Sequence, residues 1–394
     1  MKTLNHKLQL LKNVIEANEP ITVMIIGLGS VGLYLLDYLI SLGDENIRIA
    51  VAGRNADKMR SDVNIVKTAA AIRGCLRSEI GLYGHCDLED VASVADTMRA
   101  CNPDIIVNTS RVYAGLKYGS ISWNNVRAYG IWAPLSMRYA RNIMAAYEMA
   151  GSTAITINTS YSDAVIPWLK SAGMSCFDFG SGNLNHLIPR IKFYISEKYA
   201  VPNINDIDVT LAVSHFHDVV ISKEGHAEGQ DVLLDIKYGG DTCRVNKSEV
   251  FAACKIPMPT DQKRNMMNAS SNFHIITAIV NALRGRRKIK IHSPGVNGEI
   301  GGYPFIIDGT GAVPCGYIDQ SVFSMDAMRK ANRESIALDG IEKIEDGTLY
   351  YTDALIQKAA SAFGVKLPES VSFGQIDDMA SFFIQDIISK QIAQ

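Results

Sequence analysis

The stretch Ile21–Gly32, ITVMIIGLGSVG, constrains this chain more than any other. An apolar run suited to a buried strand ends in Gly27, Gly29 and Gly32, spaced G-x-G-x-x-G, and LYLLDYLISLG follows as an amphipathic helix. Gly27 supplies the tight turn out of the strand. Gly29 carries no Cβ to hold a pyrophosphate off the backbone, and Gly32 lets helix and strand pack closely. Ser30 and Val31 then fall in the helix's first turn, where free amides and the helix dipole face phosphate oxygens. The pattern predicts a dinucleotide site; the alternative is a βα turn that the glycines merely close.

The first half repeats the strand–helix unit. IRIAVAG (Ile47–Gly53) reads as a second strand, and GLYGHCD (Gly81–Asp87) as a third. IIVNTS (Ile105–Ser110) reads as a fourth and TAITINTS (Thr153–Ser160) as a fifth, each followed by a helical segment. This alternation is that of an α/β Rossmann domain, a doubly wound parallel sheet over residues 1–180. Ligands bind at the carboxyl ends of such strands, which points to Asn108 and Asn158. After the second strand, where a carboxylate would bind the ribose diol of NAD, the chain has Gly53-Arg54-Asn55. Arg54 suits the 2′-phosphate of NADP, with NAD kept open. Asp87 is placed either against the adenine or as the cap of the following helix. RVYAGLKYGSISWNNVRAYGIW reads as a substrate-covering loop with Arg111 and Arg127 as its cations.

From residue 181 the pattern changes to an α+β substrate domain, 181–394. A helix interrupted by Pro189 comes first. A strand through INDIDVTLAVSHFHDVVIS follows, then a hairpin around Gly239-Gly240, a helix from Asn265, short strands and two helices. On a strand His215 and His217 share a face, since side chains alternate. They are the acid/base candidates, with core histidines or a metal fragment as the other readings.

With 394 residues, 47% of them hydrophobic, the chain has apolar material for both domains. A net charge of −2 offers no attraction to nucleic acid or an anionic membrane surface, and no run reaches the roughly 20 apolar residues of a membrane span. Seven cysteines without a C-x-x-C pair fit reduced thiols in the cytoplasm and no structural zinc. The N-terminal MKTLNHKLQLLKNVIEANEP reads as a short amphipathic helix, not a signal peptide. A homodimer is the default assembly.

The order TINTSYSD, GSGNLNHLIPRIKFYISEKYAV, LAVSHFHD resembles the lactate/malate dehydrogenase superfamily over roughly residues 20–225. That resemblance implies hydride transfer between a nicotinamide dinucleotide and a small 2-oxo or 2-hydroxy carboxylic acid. Asn158 then stands beside substrate and cofactor, Asp163 in the family's turn, Arg190 on the substrate carboxylate, and His215 as proton shuttle. The chain departs from the family in four ways. The turn Asn158–Asp163 is two residues longer. The acid that partners the histidine has no clear equivalent near Asn185 and His186. Phe216 replaces a glycine, and Arg111 or Arg127 must stand in for the mobile-loop arginine. The segment GHCDLEDVASVADTMRACNPDIIVNTS is similar to saccharopine- and opine-type dehydrogenases, which implies an imine-reducing alternative. A metal-assisted, NAD-requiring glycoside hydrolase would instead place manganese near Cys176 and His215. A histidine without its acid suggests a non-catalytic NADP sensor.

Overall fold

The computed structural model describes residues 2–113 and 115–393. Six strands, β1 (Ile21–Ile26), β2 (Ile47–Ala52), β3 (Ile80–Tyr83), β4 (Ile105–Asn108), β5 (Ile155–Asn158) and β6 (Phe179–Gly180), form a parallel sheet in the order β3-β2-β1-β4-β5-β6. The strand order reverses between β1 and β4, which opens a crevice at their carboxyl ends. Alternate residues of β1 go to opposite faces. Val23 and Ile25 pack with Leu35 and Leu39 of the helix Ser30–Ser41, and Met24 and Ile26 lie in the cluster on the other face.

The parallel sheet ends at Gly180, but the apolar core does not. Ile275 and Ile279, from the helix Asn265–Arg284, join the cluster of Val23 and Ile25. Leu355, Ile376 and Phe383 join that of Met24. The second half thus covers both faces of the first.

That second half carries three small antiparallel sheets. They are β7 (Ile207–Ala212), β8 (Leu233–Tyr238) and β9 (Asp241–Thr242); β10 (Lys288–Pro294), β11 (Gly302–Asp308) and β12 (Cys315–Ile318); and β13 (Ile341–Glu345), β14 (Thr348–Tyr351) and β15 (Ser370–Ser372). The third sheet lies where the sequence pattern predicts only helices.

Three further expectations are corrected. Strand β7 stops at Ala212, and a helix runs from His215 to Glu224, closed by Gly225 at φ 82°. Pro189 does not interrupt a helix but starts one, Ile188–Tyr199, where its missing N–H costs nothing. Residues Gly115–Asn125, expected as loop, form a helix. Among the described residues no helix is long and apolar enough to cross a membrane, and all seven cysteines are free thiols.

Candidate active site

A single cleft of about 1120 Å³ runs from the glycine turn to His215. At its first end Gly27 adopts φ 90°, a conformation open to glycine, and donates its N–H to Ala52 O at 2.9 Å. A methyl group on Gly32 would overlap Gly27's carbonyl oxygen and sit 2.9 Å from Thr109 Oγ1. Gly29 differs: among the described residues a Cβ there meets nothing within 4 Å, because the space in front of it is the cleft. Ser30 Oγ accepts from Asn265 Nδ2 at 2.6 Å, tying the start of this helix to the second half, and Val31 lines the same wall. Arg54 is exposed on the cleft wall with Lys58. Asp87 turns away: its Oδ1 accepts from Glu89 N at 3.1 Å, and the cleft passes over Cys86 and Leu88 instead. The helix Val91–Cys101 is capped by Asp90, not Asp87.

The two asparagines at the strand ends lie under the cleft. Asn108 and Asn158 face each other in register on β4 and β5, 1% and 0% exposed. Asn108 donates to Asn158 Oδ1 at 2.9 Å and accepts from Ser110 N at 3.0 Å; Asn158 donates to Ser160 O at 2.9 Å and Ser162 Oγ at 3.1 Å. Their polar groups are spent on holding the two loops that do line the cleft. This corrects their expected place beside substrate and cofactor.

At the other end stands His215, the first residue of the helix His215–Glu224. Its Nδ1 lies 2.8 Å from Asp339 Oδ2, and its backbone N–H donates to Asp163 Oδ2 at 3.0 Å. Asp339 is fully buried and also accepts from Tyr161 OH at 2.8 Å and Tyr129 N at 2.7 Å. A carboxylate only accepts, so the proton sits on Nδ1 and Nε2 is left for the cleft. The rings of Tyr129 and Tyr161 stand edge-on to the imidazole at 4.9 and 5.1 Å. Tyr161 reaches this position from φ 46°, which costs a non-glycine residue about 1 kcal/mol. Burial by itself lowers the proton affinity of His215. Attraction to Asp339, the hydrogen bond between them, and the nearby Asp163 and Asp218 outweigh burial and raise the pKa above the ordinary value. Burial likewise pushes the Asp163 carboxyl up to about 6, against the pull of His215 and a hydrogen bond from Asn183.

His217 is not a second acid/base. On a helix, residues two apart point in different directions, so His217 turns inward while Asp218, three after His215, shares its face. His217 is fully buried, its Nδ1 2.7 Å from Ser335 Oγ and its Nε2 2.8 Å from Glu228 O, and burial lowers its pKa. It is a core histidine.

Arg190 is also reassigned. It lines the cleft at 3% exposure, but its donors go to Cys254 O at 2.8 Å, His186 O at 3.2 Å, Ser222 O at 3.4 Å and Met258 Sδ at 3.3 Å. It cross-links segments rather than awaiting a carboxylate. Arg190→Met should therefore cost about 2–4 kcal/mol of stability, read by urea unfolding, because buried carbonyls lose their donors. A loss under about 0.5 kcal/mol, that of an ordinary surface change, contradicts this role.

Arg127 pairs with Glu224 and, at 2.8 Å, with Glu228, outside the cleft lining; Arg111 is exposed on the cleft wall. Cys176 lines a separate cavity of about 190 Å³ with Lys7 and Asp178, so it shares no site with His215. The ligand pair of the metal-assisted hydrolase is thereby split.

Asp339 escaped the sequence reading. It lies 124 residues beyond His215 in ALDGIE, which looks like any helix end followed by a glycine turn. The helix carrying His215 did leave a signal. Ser214 precedes it and Gly225 closes it, the usual start and stop residues.

No protein-family model matches the sequence, and no curated protein matches it. Solved structures do match in fold. Malate dehydrogenase from Aeropyrum pernix superposes with a TM-score of 0.52 at 18% identity, over 80% of this chain and 96% of that one. Lactate dehydrogenase from Cryptosporidium parvum, complexed with lactic acid and nicotinamide adenine dinucleotide, gives 0.51 at 13% identity over 82% and 98%. Lactate dehydrogenase from Eimeria maxima, with NADH and oxamate, gives 0.51 at 15% over 81% and 93%. The chain has the lactate/malate dehydrogenase-like fold.

Proposed function

We propose that this protein is a nicotinamide-dinucleotide-dependent oxidoreductase that interconverts a small 2-oxo acid and its 2-hydroxy acid. One observation carries the reading: a single cleft joins the glycine turn to the His215–Asp339 pair. Residues 1–180 hold the dinucleotide and 181–394 supply His215 and Asp339. The open space before Gly29 fits a pyrophosphate, with the amides of Ser30 and Val31 facing it. A bound nicotinamide supplies hydride chemistry.

The chain itself moves the proton. In the reducing direction His215 donates from Nε2 to the substrate oxygen, and Asp339 holds Nδ1–H so that Nε2 stays aimed at the cleft. In the oxidising direction the same nitrogen accepts the proton, and Asp339 stabilises the imidazolium. With Arg190 committed, Arg264 is the guanidinium for the substrate carboxylate. It lines the cleft near Asp218 and His186, and among the described residues it has no carboxylate within ion-pair distance. The sensor reading rested on a missing acid, and Asp339 fills that place.

The test is oxidation of NADH or NADPH by 2-oxo acids, with and without an added amine. Turnover without amine is expected. Turnover only with amine selects the imine reductase, and tight binding without turnover selects the sensor. Arg54 and Lys58 support NADP as the preferred form, whereas the matched lactate dehydrogenases hold NAD or NADH. Arg54→Gln should weaken NADPH binding about 10- to 100-fold by calorimetry, with a smaller change for NADH. Equal changes contradict a 2′-phosphate contact. We also propose a cytoplasmic homodimer, checked by sedimentation and cell fractionation.

A further inference from the structure

Asp218 shares the cleft-facing side of the helix His215–Glu224 with His215 and is 5% exposed. Among the described residues its Oδ1 is buried without a hydrogen-bond partner, and His186 Nδ1 stands 3.9 Å from its Oδ2, too distant to bond. His186 lines the same wall, and its Nε2 is buried without a partner as well. Buried polar groups are costly to leave unpaired, so two neighbouring residues of the cleft lining, each with an unpaired buried atom, call for a ligand that completes them.

The charges around them select its chemistry. Burial pushes the Asp218 carboxyl up to about 6, while His215, Arg190 and Arg264 stand close enough to pull it back down. Burial and the cations Arg264 and Arg190 push His186 down to about 3, so it is a neutral ring with one donor and one acceptor. An ammonium group placed here would face two guanidinium groups and the protonated form of His215. A hydroxyl carries no charge; it can donate to the carboxylate and accept from the imidazole.

We propose that Asp218 and His186 form a hydroxyl-binding subsite beside His215, so that the natural substrate is an acid hydroxylated beyond its reacting carbon, of the sugar-acid class. This rests on the dehydrogenase reading for the reaction, but the subsite is a matter of binding and is tested separately from it.

Two pairs of equal backbone shape test it in turnover, the first isosteric and the second matched in carbon chain: hydroxypyruvate against 2-oxobutyrate, and 2-ketogluconate against 2-oxohexanoate. Wild type should favour the hydroxylated member of at least one pair by about 10- to 100-fold in kcat/KM, the worth of a hydrogen bond to a charged acceptor. In Asp218→Leu that ratio should fall close to one; if that variant does not fold, Asp218→Asn and His186→Phe should each reduce it. Calorimetry adds a readout without turnover: gluconate should bind the NADH-loaded protein more tightly than hexanoate, and Asp218→Asn should narrow the difference.

Should both members of each pair be reduced equally well, the subsite is overturned while the dehydrogenase reading stands, and trapped water satisfies these groups. Should no 2-oxo acid react while gluconate still binds in an Asp218-dependent way, the subsite stands and the dehydrogenase reading falls. Equal binding of gluconate and hexanoate, with no turnover, overturns both.

Discussion

Asp339→Asn is expected to lower kcat/KM for 2-oxo acid reduction by about 10³- to 10⁴-fold, with the fold intact. Asparagine preserves shape, and its Oδ1 can still accept from Tyr129 N, although the amide nitrogen in the place of Oδ2 no longer accepts from Tyr161 OH. Opposite His215 Nδ1, however, an amide N–H in place of a carboxylate oxygen favours the tautomer with its proton on Nε2, and it removes the charge that stabilises the imidazolium. The pH profile should move with it. In the wild type, Asp339 is the main reason the pKa of His215 is raised despite burial. The protonated donor therefore persists above the ordinary histidine value of about 6.5, and reduction falls only as pH rises through the raised pKa. The variant loses that support, so its falling limb should lie at lower pH.

The same sign governs stability. A raised folded pKa contributes stability that is fully present below the unfolded value and is lost as pH rises through the folded one. Asp339→Asn should therefore narrow the stability difference between mildly acidic and alkaline solution. An unchanged pH profile, or a loss in kcat/KM under about tenfold, contradicts the pairing.

The second large effect separates two glycines that the sequence motif treats alike. Gly29→Val should leave thermal stability almost unchanged, because its Cβ enters open space. It should weaken dinucleotide binding by about 10- to 100-fold, since the methyl groups occupy the volume the phosphates need. Gly32→Val should destabilise the protein itself, because its Cβ overlaps Gly27's carbonyl oxygen. Such overpacking costs about 1–3 kcal/mol or more. Calorimetric titration together with thermal unfolding reads both. If Gly29→Val binds the cofactor as wild type does, the glycine turn is structural and no phosphate rests on it.

The sequence made the parallel-sheet half legible because its signals are local. Strand, glycine turn and helix lie within Ile21–Ser41, and β2, β4 and β5 advertise themselves as short β-branched runs, whereas the two-residue β6, Phe179–Gly180, leaves no such pattern. The site was legible only in part, because its pieces come from four distant segments. His215 stands out as a titratable residue on an expected strand. Its orientation differs from that expectation because the strand pattern runs on past Ala212, where the backbone turns into a helix and a period of two gives way to one of 3.6.

The resemblance assigns Arg190 to a substrate carboxylate, but its partners here are carbonyl oxygens, which have no sequence signature. Asn108 and Asn158 sat at the right strand ends, but two amides in register on neighbouring strands satisfy each other before any ligand arrives. Asp339 depends on how the second half folds back over the sheet, a tertiary fact with no local trace.

The most direct test of the account uses NADH and NADPH carrying deuterium at the reactive carbon of the nicotinamide ring. Each is incubated with the protein and a panel of 2-oxo acids, and the products are read by mass spectrometry. Deuterium on the carbinol carbon of a 2-hydroxy acid product, lost in His215→Asn, is the predicted result. Tight cofactor binding with no deuterium in any product would contradict it.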